Sequence, residues 1–422
     1  MRIQNLCVKL ERNDSGLDTT HGTKIALRGG YIHQTTAGVY TLSPLGLRVQ
    51  RKIEQIVRTE MDAVDGQEIR MPVVSGADLW RESGRYDNMD NLQKFKGRNG
   101  VDYVLNPTHE EVVVDYTRAV LETYRQLPFM VYQIQTKYRD ELRTRAGLIR
   151  TREFTMKDGY SFHETQGDLE NYYHRVFGAY ERIFARVGLR GVFATESDNG
   201  DMGGNFSQEF QWLSPIGEDT VYFCDACKYS ANKEVAENGI CPKCGAQMRA
   251  ERGVEVGNIF QLSTKYSVAM GLKFTTADGA QQHPIMGCYG IGIGRTLACL
   301  IEQDADENGP KWNMAVAPFA VAVIGIPDKS GDSLRLANRV YDELIAAGID
   351  VILDDRDARA GEKFADADLI AAPVQLIVSE KNTANGIVEV KYRTPIDTTG
   401  LPDSVKIDDA AAGVKKIVEL LQ

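Results

Sequence analysis

Four of the seven cysteines in this 422-residue chain fall into two Cys-x-x-Cys pairs, Cys224/Cys227 and Cys241/Cys244, with thirteen residues between them. No other feature restricts the local fold as tightly. Two intervening residues let both sulfurs of a pair turn toward one cation, and two such pairs supply the four soft ligands of a tetrahedral Zn²⁺. The spacing predicts a zinc ribbon over 221–252. All four positions around the metal would be filled by protein, so its role would be structural. A metal-free loop with four thiols and an iron site remain open alternatives. Cys7, Cys288 and Cys299 are isolated and read as packing residues. Thiols used this way fit a reducing compartment, and the N-terminal MRIQNLCVKLERNDSG has no apolar stretch of the secretory type. A cytoplasmic protein is expected.

The length suits two or three domains. No apolar run approaches the roughly 18 residues of a membrane span, so no membrane partner is expected. The 49 basic and 59 acidic residues give a net charge of −10. That excludes a generic polyanion binder, while a local basic patch stays compatible with nucleic acid. Apolar periodicity predicts helices over 44–64, 107–127 and 168–187. Strands are predicted over 68–74, 129–136 and 152–156. After Pro318 strands alternate with helices: strands at 319–326, 348–353 and 374–378, helices at 331–347, 363–370 and 408–421. This alternation indicates an α/β domain. The expected organisation is an α+β domain built on an antiparallel sheet over 1–317, with the ribbon inside it, and a C-terminal α/β domain over 318–422.

The densest chemistry lies between Lys137 and Lys157, where seven basic and three acidic residues give net +4. In extended strands alternate residues share a face, which would pair Arg139 with Glu141 and Arg152 with Phe154. Arginine offers a fork to phosphate oxygens, an aromatic ring stacks on a purine, and a carboxylate accepts from an exocyclic amine. Together these suit an ATP site; a solvated hairpin is the plainer alternative. A second piece, Met286-Gly-Cys-Tyr-Gly-Ile-Gly-Ile-Gly-Arg295, carries glycines at 287, 290, 292 and 294 into a helix opened by Arg295. It fits neither the dinucleotide fingerprint nor a Walker loop.

These pieces resemble the three motifs of class II aminoacyl-tRNA synthetases, and more closely those of the bacterial prolyl type. The first is the long helix and strand ending at Met71-Pro72, the second YRDELR…RTREFTMKDGYSF, the third MGCYGIGIGRTL. TLSPLGLRV, LWRESGRYD, NPTHEEVV and GVEVGNIFQLSTKYS add prolyl-type signatures, and VILDDRDARAGEKFADADLI is similar to an anticodon-binding domain. The resemblance implies catalytic roles for Arg139, at the α-phosphate, and Arg295, at the γ-phosphate. Glu141 would read the adenine amine and Phe154 stack on the ring, with Arg150, Arg152 and Gln211 nearby. Thr108 and Glu110 would hold the proline ammonium, and Arg139, Gln208, Asn258 and Ser263 would complete that pocket. Glu153 and Glu302 are further candidates. Arg356, Arg359 and Lys363 would meet the anticodon. ATP, Mg²⁺, proline and tRNA(Pro) are the implied substrates and cofactors, beside the structural Zn²⁺, and a homodimer through Met71-Pro72 is expected.

Some positions depart from the family pattern. Thr144 and Ala146 replace Pro and Phe of ELRPRFG, Gln208 replaces His of SHEF, and Asn258 and Ser263 replace His and Gly of GHIFQLG. The ribbon takes the place where many bacterial members carry an editing insertion, which implies no cis-editing. A paralogue that activates proline or an analogue for a carrier protein is the alternative enzyme; a decayed, RNA-binding module is the non-catalytic one.

Overall fold

The computed structural model describes residues 1–13, 16 and 19–421. The chain divides into two compact units. One comprises residues 37–39 and 54–296, the other residues 1–36, 40–53 and 297–422.

The first unit is built on a nine-stranded sheet. Into it run the second half of α1 (Pro44–Asp62), then β1 (Gly66–Glu68), α2 (Glu110–Val120), β2 (Phe129–Tyr138), β3 (Glu153–His163) and α3 (Gln166–Val187). There follow β4 (Val192–Ser197), β5 (Phe206–Leu213), β6 (Asp219–Phe223), β7 (Ser230–Asn232), β8 (Arg249–Ser263), β9 (Ile285–Gly292) and the start of α4 (Ile293–Asp304). The strand order is β5-β4-β7-β6-β8-β9-β3-β2-β1, and β5 also pairs with β8. Pairing is antiparallel except for β1 with β2 and a single bridge of β7 with β4.

Period-two alternation sets the two faces of this sheet. Odd positions of β3 and β9, such as Lys157, Ser161 and Tyr289, turn toward α3. This helix is capped by the Thr165 hydroxyl, which accepts from the Asp168 amide, and stopped by Gly188 at φ 84°. It buries Tyr172, Tyr173, Tyr180 and Phe184, and Phe210 of β5 packs on Phe177, Tyr180 and Phe184. The even positions, Phe154, Met156, Asp158, Cys288, Gly290 and Gly292, share the opposite face.

Three local expectations change. The strand expected over 68–74 is interrupted: β1 ends at Glu68, and Val74 opens a separate short strand, Val74–Gly76. The segment between them is held from the side: the Met71 amide donates to Gln133 Oε1 at 3.0 Å and Gln135 Nε2 donates to the Met71 carbonyl at 3.0 Å. The helix over 107–127 is confined to 110–120. Gln126 replaces the missing helix bonds, its Oε1 accepting from the Glu122 and Thr123 amides and its Nε2 donating to Val120 O. Residues 139–152 are not extended. They form a turn with Ala146 at φ 53° and Gly147 at φ 59°, so alternation does not decide where their side chains point.

In the second unit β10 (Val321–Gly325), α5 (Asp332–Ala346), β11 (Val351–Asp354), α6 (Ala360–Ile370) and β12 (Val374–Val378) are followed by β13 (Ile387–Tyr392), β14 (Ser404–Lys406) and α7 (Ala410–Leu420). The sheet order is β11-β10-β12-β13-β14; the first three strands are parallel, as their helical crossovers require. Val321, Val323, Leu353, Leu376 and Val378 are fully buried against α5 and α7. Among the described residues no helix is long and apolar enough to cross a membrane.

Candidate active site

A cavity of about 430 Å³ opens on the sheet face opposite α3. Thr108, Arg139, Glu141, Arg150, Phe154, Asn258 and Arg295, all proposed from sequence, line it. So do Glu209, Asp219, Glu255 and Cys288, for which the sequence carried no comparable signal.

Two arginines define one end. The Arg139 guanidinium lies 5.2 Å from the Phe154 ring centre, and its Nε donates weakly to Pro107 O at 3.4 Å. Arg295 donates to Ile149 O at 2.9 Å and Glu255 O at 2.5 Å, and pairs with the Glu255 carboxylate at 3.2 Å. Burial draws the Arg139 guanidinium below its ordinary value; Glu255 opposes this and Arg295 adds to it. A polyanion lying against both cations relieves that tension.

Glycine earns its place in β9 for different reasons at different positions. A Cβ on Gly287 would lie 2.2 Å from Tyr289 Oη, on the α3 side, so this glycine serves core packing. Gly290 and Gly292 face the cavity, and a Cβ on Gly290 would meet nothing closer than 3.8 Å. What they leave open is the cavity itself.

Glu141 is met across the turn by Arg150, whose Nε and Nη2 donate to Oε2 at 3.0 and 2.8 Å. Arg150 also donates to Glu218 at 2.7 Å, and Arg145 pairs with the same carboxylate. Arg152 does not line the cavity. It donates to Glu141 O at 3.1 Å and Ala37 O at 2.9 Å, so it braces the turn that carries Glu141.

Beside Arg295 three carboxylates converge. Gln211 Nε2 donates to Glu209 at 2.9 Å and to Asp219 at 3.0 Å, while its buried Oε1 has no hydrogen-bond partner. Burial, with Glu255 adding, pushes Glu209 up to about 8. Burial also raises Asp219, Gln211 opposing and Glu255 adding. Oxygen donors of this kind suit Mg²⁺ by type, while among the described residues the group whose ligand atoms come together closely enough to hold an ion is the four cysteines. Gln211 thus contacts the acids rather than the cavity directly. Glu302 instead accepts from the Gly22 amide at 2.5 Å, and Glu153 is exposed.

The other end carries buried charge. Glu110 is fully buried; its Oε2 accepts from Thr108 Oγ1 at 2.5 Å and its Oε1 from the Cys288 thiol at 3.1 Å. Arg85, 5% exposed, reaches Glu110 at 3.4 Å and Glu111 at 3.2 Å. Its place in LWRESGRYD was the one sequence trace of this role. Asn258 Nδ2 donates to Glu255 at 3.2 Å, and its buried Oδ1 has no hydrogen-bond partner.

Two expected members of this pocket lie elsewhere. Gln208 alternates with Glu209 along β5, so it faces α3, where its Oε1 accepts from Tyr173 Oη at 3.2 Å. Ser263 sits past a bulge at the end of β8, at φ 55°, and does not line the cavity. A left-handed φ favours glycine, so serine here carries strain.

The four cysteine sulfurs lie within 4.8 Å of one another, with Cys224–Cys244 at 3.4 Å and Cys227–Cys241 at 3.6 Å. Tetrahedral Zn–S bonds of 2.3 Å imply sulfurs about 3.8 Å apart. The two pairs have the same backbone turn. Cys224 N donates to Tyr229 O and Lys228 N returns to Cys224 O; Cys241 N donates to Ala246 O and Gly245 N returns to Cys241 O. Lys228 and Gly245 both have positive φ. The residues fit a tetrahedral thiolate-bound ion.

In the second unit Arg359 is exposed just before α6. Arg356 is engaged by Asp354, at 2.9 and 2.7 Å, and by Asp366 at 2.8 Å. Lys363 is fully buried and donates to Gly325 O at 2.6 Å and Asp354 O at 3.3 Å. It closes the carboxyl ends of β10 and β11 and is not available to RNA; that expectation is corrected.

Comparison with known proteins places this geometry. Residues 93–304 match the tRNA synthetase class II core domain (G, H, P, S and T), and residues 320–417 match the anticodon binding domain. The chain is 42% identical over 419 residues to a proline–tRNA ligase of Rhodospirillum rubrum, covering 92% of this chain and 94% of the relative. It is 39% identical over 432 residues to that of Anaplasma phagocytophilum, covering 98% and 100%. With that of Syntrophus aciditrophicus it shares 33% over 573 aligned positions, covering 99% and 98%. Prolyl-tRNA synthetase from Cryptosporidium parvum, solved with halofuginone and AMPPNP, has the same fold, with TM-score 0.76 at 17% identity, over 95% of this chain and 77% of that one. The chain belongs to the proline–tRNA ligase family of class II aminoacyl-tRNA synthetases.

Proposed function

We propose that this chain activates proline with ATP and transfers it to tRNA(Pro). The observation that carries the reading is one cavity lined by Arg139, Arg295 and Thr108, whose hydroxyl donates to the buried Glu110. The proline carboxylate attacks the α-phosphorus, giving prolyl-adenylate and pyrophosphate. The terminal ribose hydroxyl of the tRNA then attacks the prolyl carbonyl, forming the ester and releasing AMP. Arg139 holds the α-phosphate and Arg295 the γ-phosphate; Glu141 and Phe154 meet adenine. Glu110 and Thr108 take the secondary ammonium, with Asn258 at the border of the two ends. Catalysis rests on placement and on fixed positive charge where phosphate charge develops. Mg²⁺ held by Glu209, Asp219 and Glu255 would neutralise phosphate oxygens.

The proposed organisation is a catalytic domain over 1–317 and an anticodon-binding domain over 318–422, in a cytoplasmic homodimer joined through Met71-Pro72. Arg359 is the exposed cation for the anticodon. Proline-dependent ATP–pyrophosphate exchange and charging of tRNA(Pro) test the function; exchange without charging would reject the tRNA step. The ribbon stands where many bacterial members carry an editing insertion, so Ala-tRNA(Pro) is expected to persist with the purified protein. Its rapid deacylation would overturn that expectation.

The Cys224/Cys227/Cys241/Cys244 cluster would hold one structural Zn²⁺ in a ribbon over 221–252. Elemental analysis is expected to find one zinc per chain. The ribbon's own core is small, with Tyr229, Ala231, Ala236 and Met248 its buried non-cysteine members, so the metal supplies most of its stability. Chelation is expected to abolish amide-exchange protection over 221–252 while β2 and β3 stay protected. Unchanged protection would show a ribbon that folds without metal.

A further inference from the structure

Beneath the amino-acid end of the cavity lies buried charge to which no role has yet been given. Lys137 on β2 and Asp158 on β3 are almost completely buried, and Lys137 Nζ lies 2.7 Å from Asp158 Oδ1. The other oxygen, Oδ2, accepts from Tyr160 Oη at 2.7 Å and from Gln133 Nε2 at 3.0 Å. Tyr160 Oη in turn accepts from the His109 backbone amide at 3.0 Å. His109 is the residue before α2, and Glu110 is the first residue of that helix. A continuous chain of bonds therefore runs from the Lys137–Asp158 pair to the entry of the helix that presents Glu110.

The same pair also belongs to a cluster of buried ionisable groups. Arg85, Lys137, Glu110, Glu111 and Asp158 are all buried here. Arg85 serves Glu111 and reaches Glu110; Lys137 serves Asp158. Because Lys137 and Asp158 satisfy each other, neither competes for the Arg85–Glu110 contact. Arg139 and Lys265 also act electrostatically on Glu110. Burial lowers the His109 imidazole to about 4, Lys137 adding to the effect, so the ring is neutral. Burial raises Tyr160, Tyr266 and Cys288, so they stay protonated. Lys157 turns to the α3 face and donates to Tyr180 Oη at 2.7 Å. Lys265 is partly exposed and donates to Asp201 O and Met202 O, while Arg139 sits at the cavity.

We propose that Lys137 and Asp158 are positioning residues for the ammonium of the amino-acid substrate, a mutually satisfied buried pair that holds the entry of α2 and with it the place of Glu110. The proposal rests on the assignment of Glu110 to the proline ammonium. Either member of the pair without the other leaves an uncompensated buried group beside the entry of α2, which disturbs the Tyr160–His109 bonds that fix it.

The test is a double-mutant cycle read by proline-dependent ATP–pyrophosphate exchange. Lys137→Met leaves Asp158 without its cation. Asp158→Asn keeps an oxygen for Tyr160 and Gln133 but turns an amide NH₂ toward the Lys137 ammonium. In Lys137→Met/Asp158→Asn the amide faces a thioether and neither member of the pair is left as an uncompensated buried charge. Each single change is expected to raise the KM for proline on the order of tenfold or more, with the KM for ATP nearly unchanged. The double variant is expected to recover most of that loss.

A pH profile adds a readout that packing alone would not move. Burial works against the Asp158 carboxylate, and Lys137 is the largest influence holding it down. In Lys137→Met its pKa climbs, and the KM for proline gains a pH dependence. Wild type and the double variant should lack it. A double variant no better than the worse single one, or equal changes in the two KM values, overturns the proposal. Should a single variant fail to fold, the double variant decides alone: near-wild-type KM for proline supports the pair, a raised one overturns it. Wild-type protein without proline-dependent exchange would instead remove the functional reading on which the pair depends.

Discussion

Arg139→Ala is expected to lower the rate of ATP–pyrophosphate exchange by about 10³-fold, in line with removing one fixed cation from developing phosphate charge. The structure says why this position should cost more than its neighbours. Arg139 makes one long hydrogen bond, to Pro107 O at 3.4 Å, and otherwise lies against the Phe154 ring. Its fork is free for a ligand. Arg150 is tied to Glu141 and Glu218, and Arg152 is spent on two carbonyls. Arg150→Ala is therefore expected to act mainly on ATP KM, through the orientation of Glu141. Arg139→Lys should recover little, because an ammonium cannot reproduce the fork. Full exchange activity in Arg139→Ala would place the α-phosphate elsewhere. Because Arg139 is partly exposed and accepts no structural load, its loss should leave thermal stability nearly unchanged, which separates catalysis from folding.

The same contrast shows what the sequence could disclose. The strand cores were legible because β2, β3 and β9 alternate cleanly, and the cavity-facing Phe154 follows from that pattern. Alternation fails at Tyr138, where β2 ends. Glu141 and Arg150 are brought together by a turn with two left-handed residues, which no face rule could describe. Gln208 failed for the opposite reason. It lies inside a regular strand, and the pattern, applied from Glu209, turns it toward α3. Lys363 reads as a helix-start cation, yet its long stem passes inward and its ammonium closes two strand ends. The charge cluster around Glu110 was the least legible part. Arg85, Lys137 and Asp158 come from three separate segments, and only the fold makes them one cluster. The four cysteines were the easiest, since each pair carries its own turn geometry in its spacing.

Glu110→Gln is the sharper test of substrate choice. The change is nearly isosteric, and the amide oxygen still accepts from Thr108 or Cys288. It removes the buried carboxylate charge assigned to the substrate ammonium. Losing the charged partner of a buried ammonium costs about 2–5 kcal/mol, or roughly 30-fold to several thousand-fold in the KM for proline. The KM for ATP should move little, because Arg139, Arg295, Glu141 and Phe154 are untouched. Stability should change little, because Arg85 keeps Glu111 at 3.2 Å as its partner when Glu110 is neutral. A variant that stays folded, binds ATP normally and has lost proline would identify Glu110 as the partner of the substrate ammonium. A KM for proline within about twofold of wild type would assign the ammonium to another group. Other acids that line the cavity, Asp198 and Asp201 among them, would then be the ones to replace.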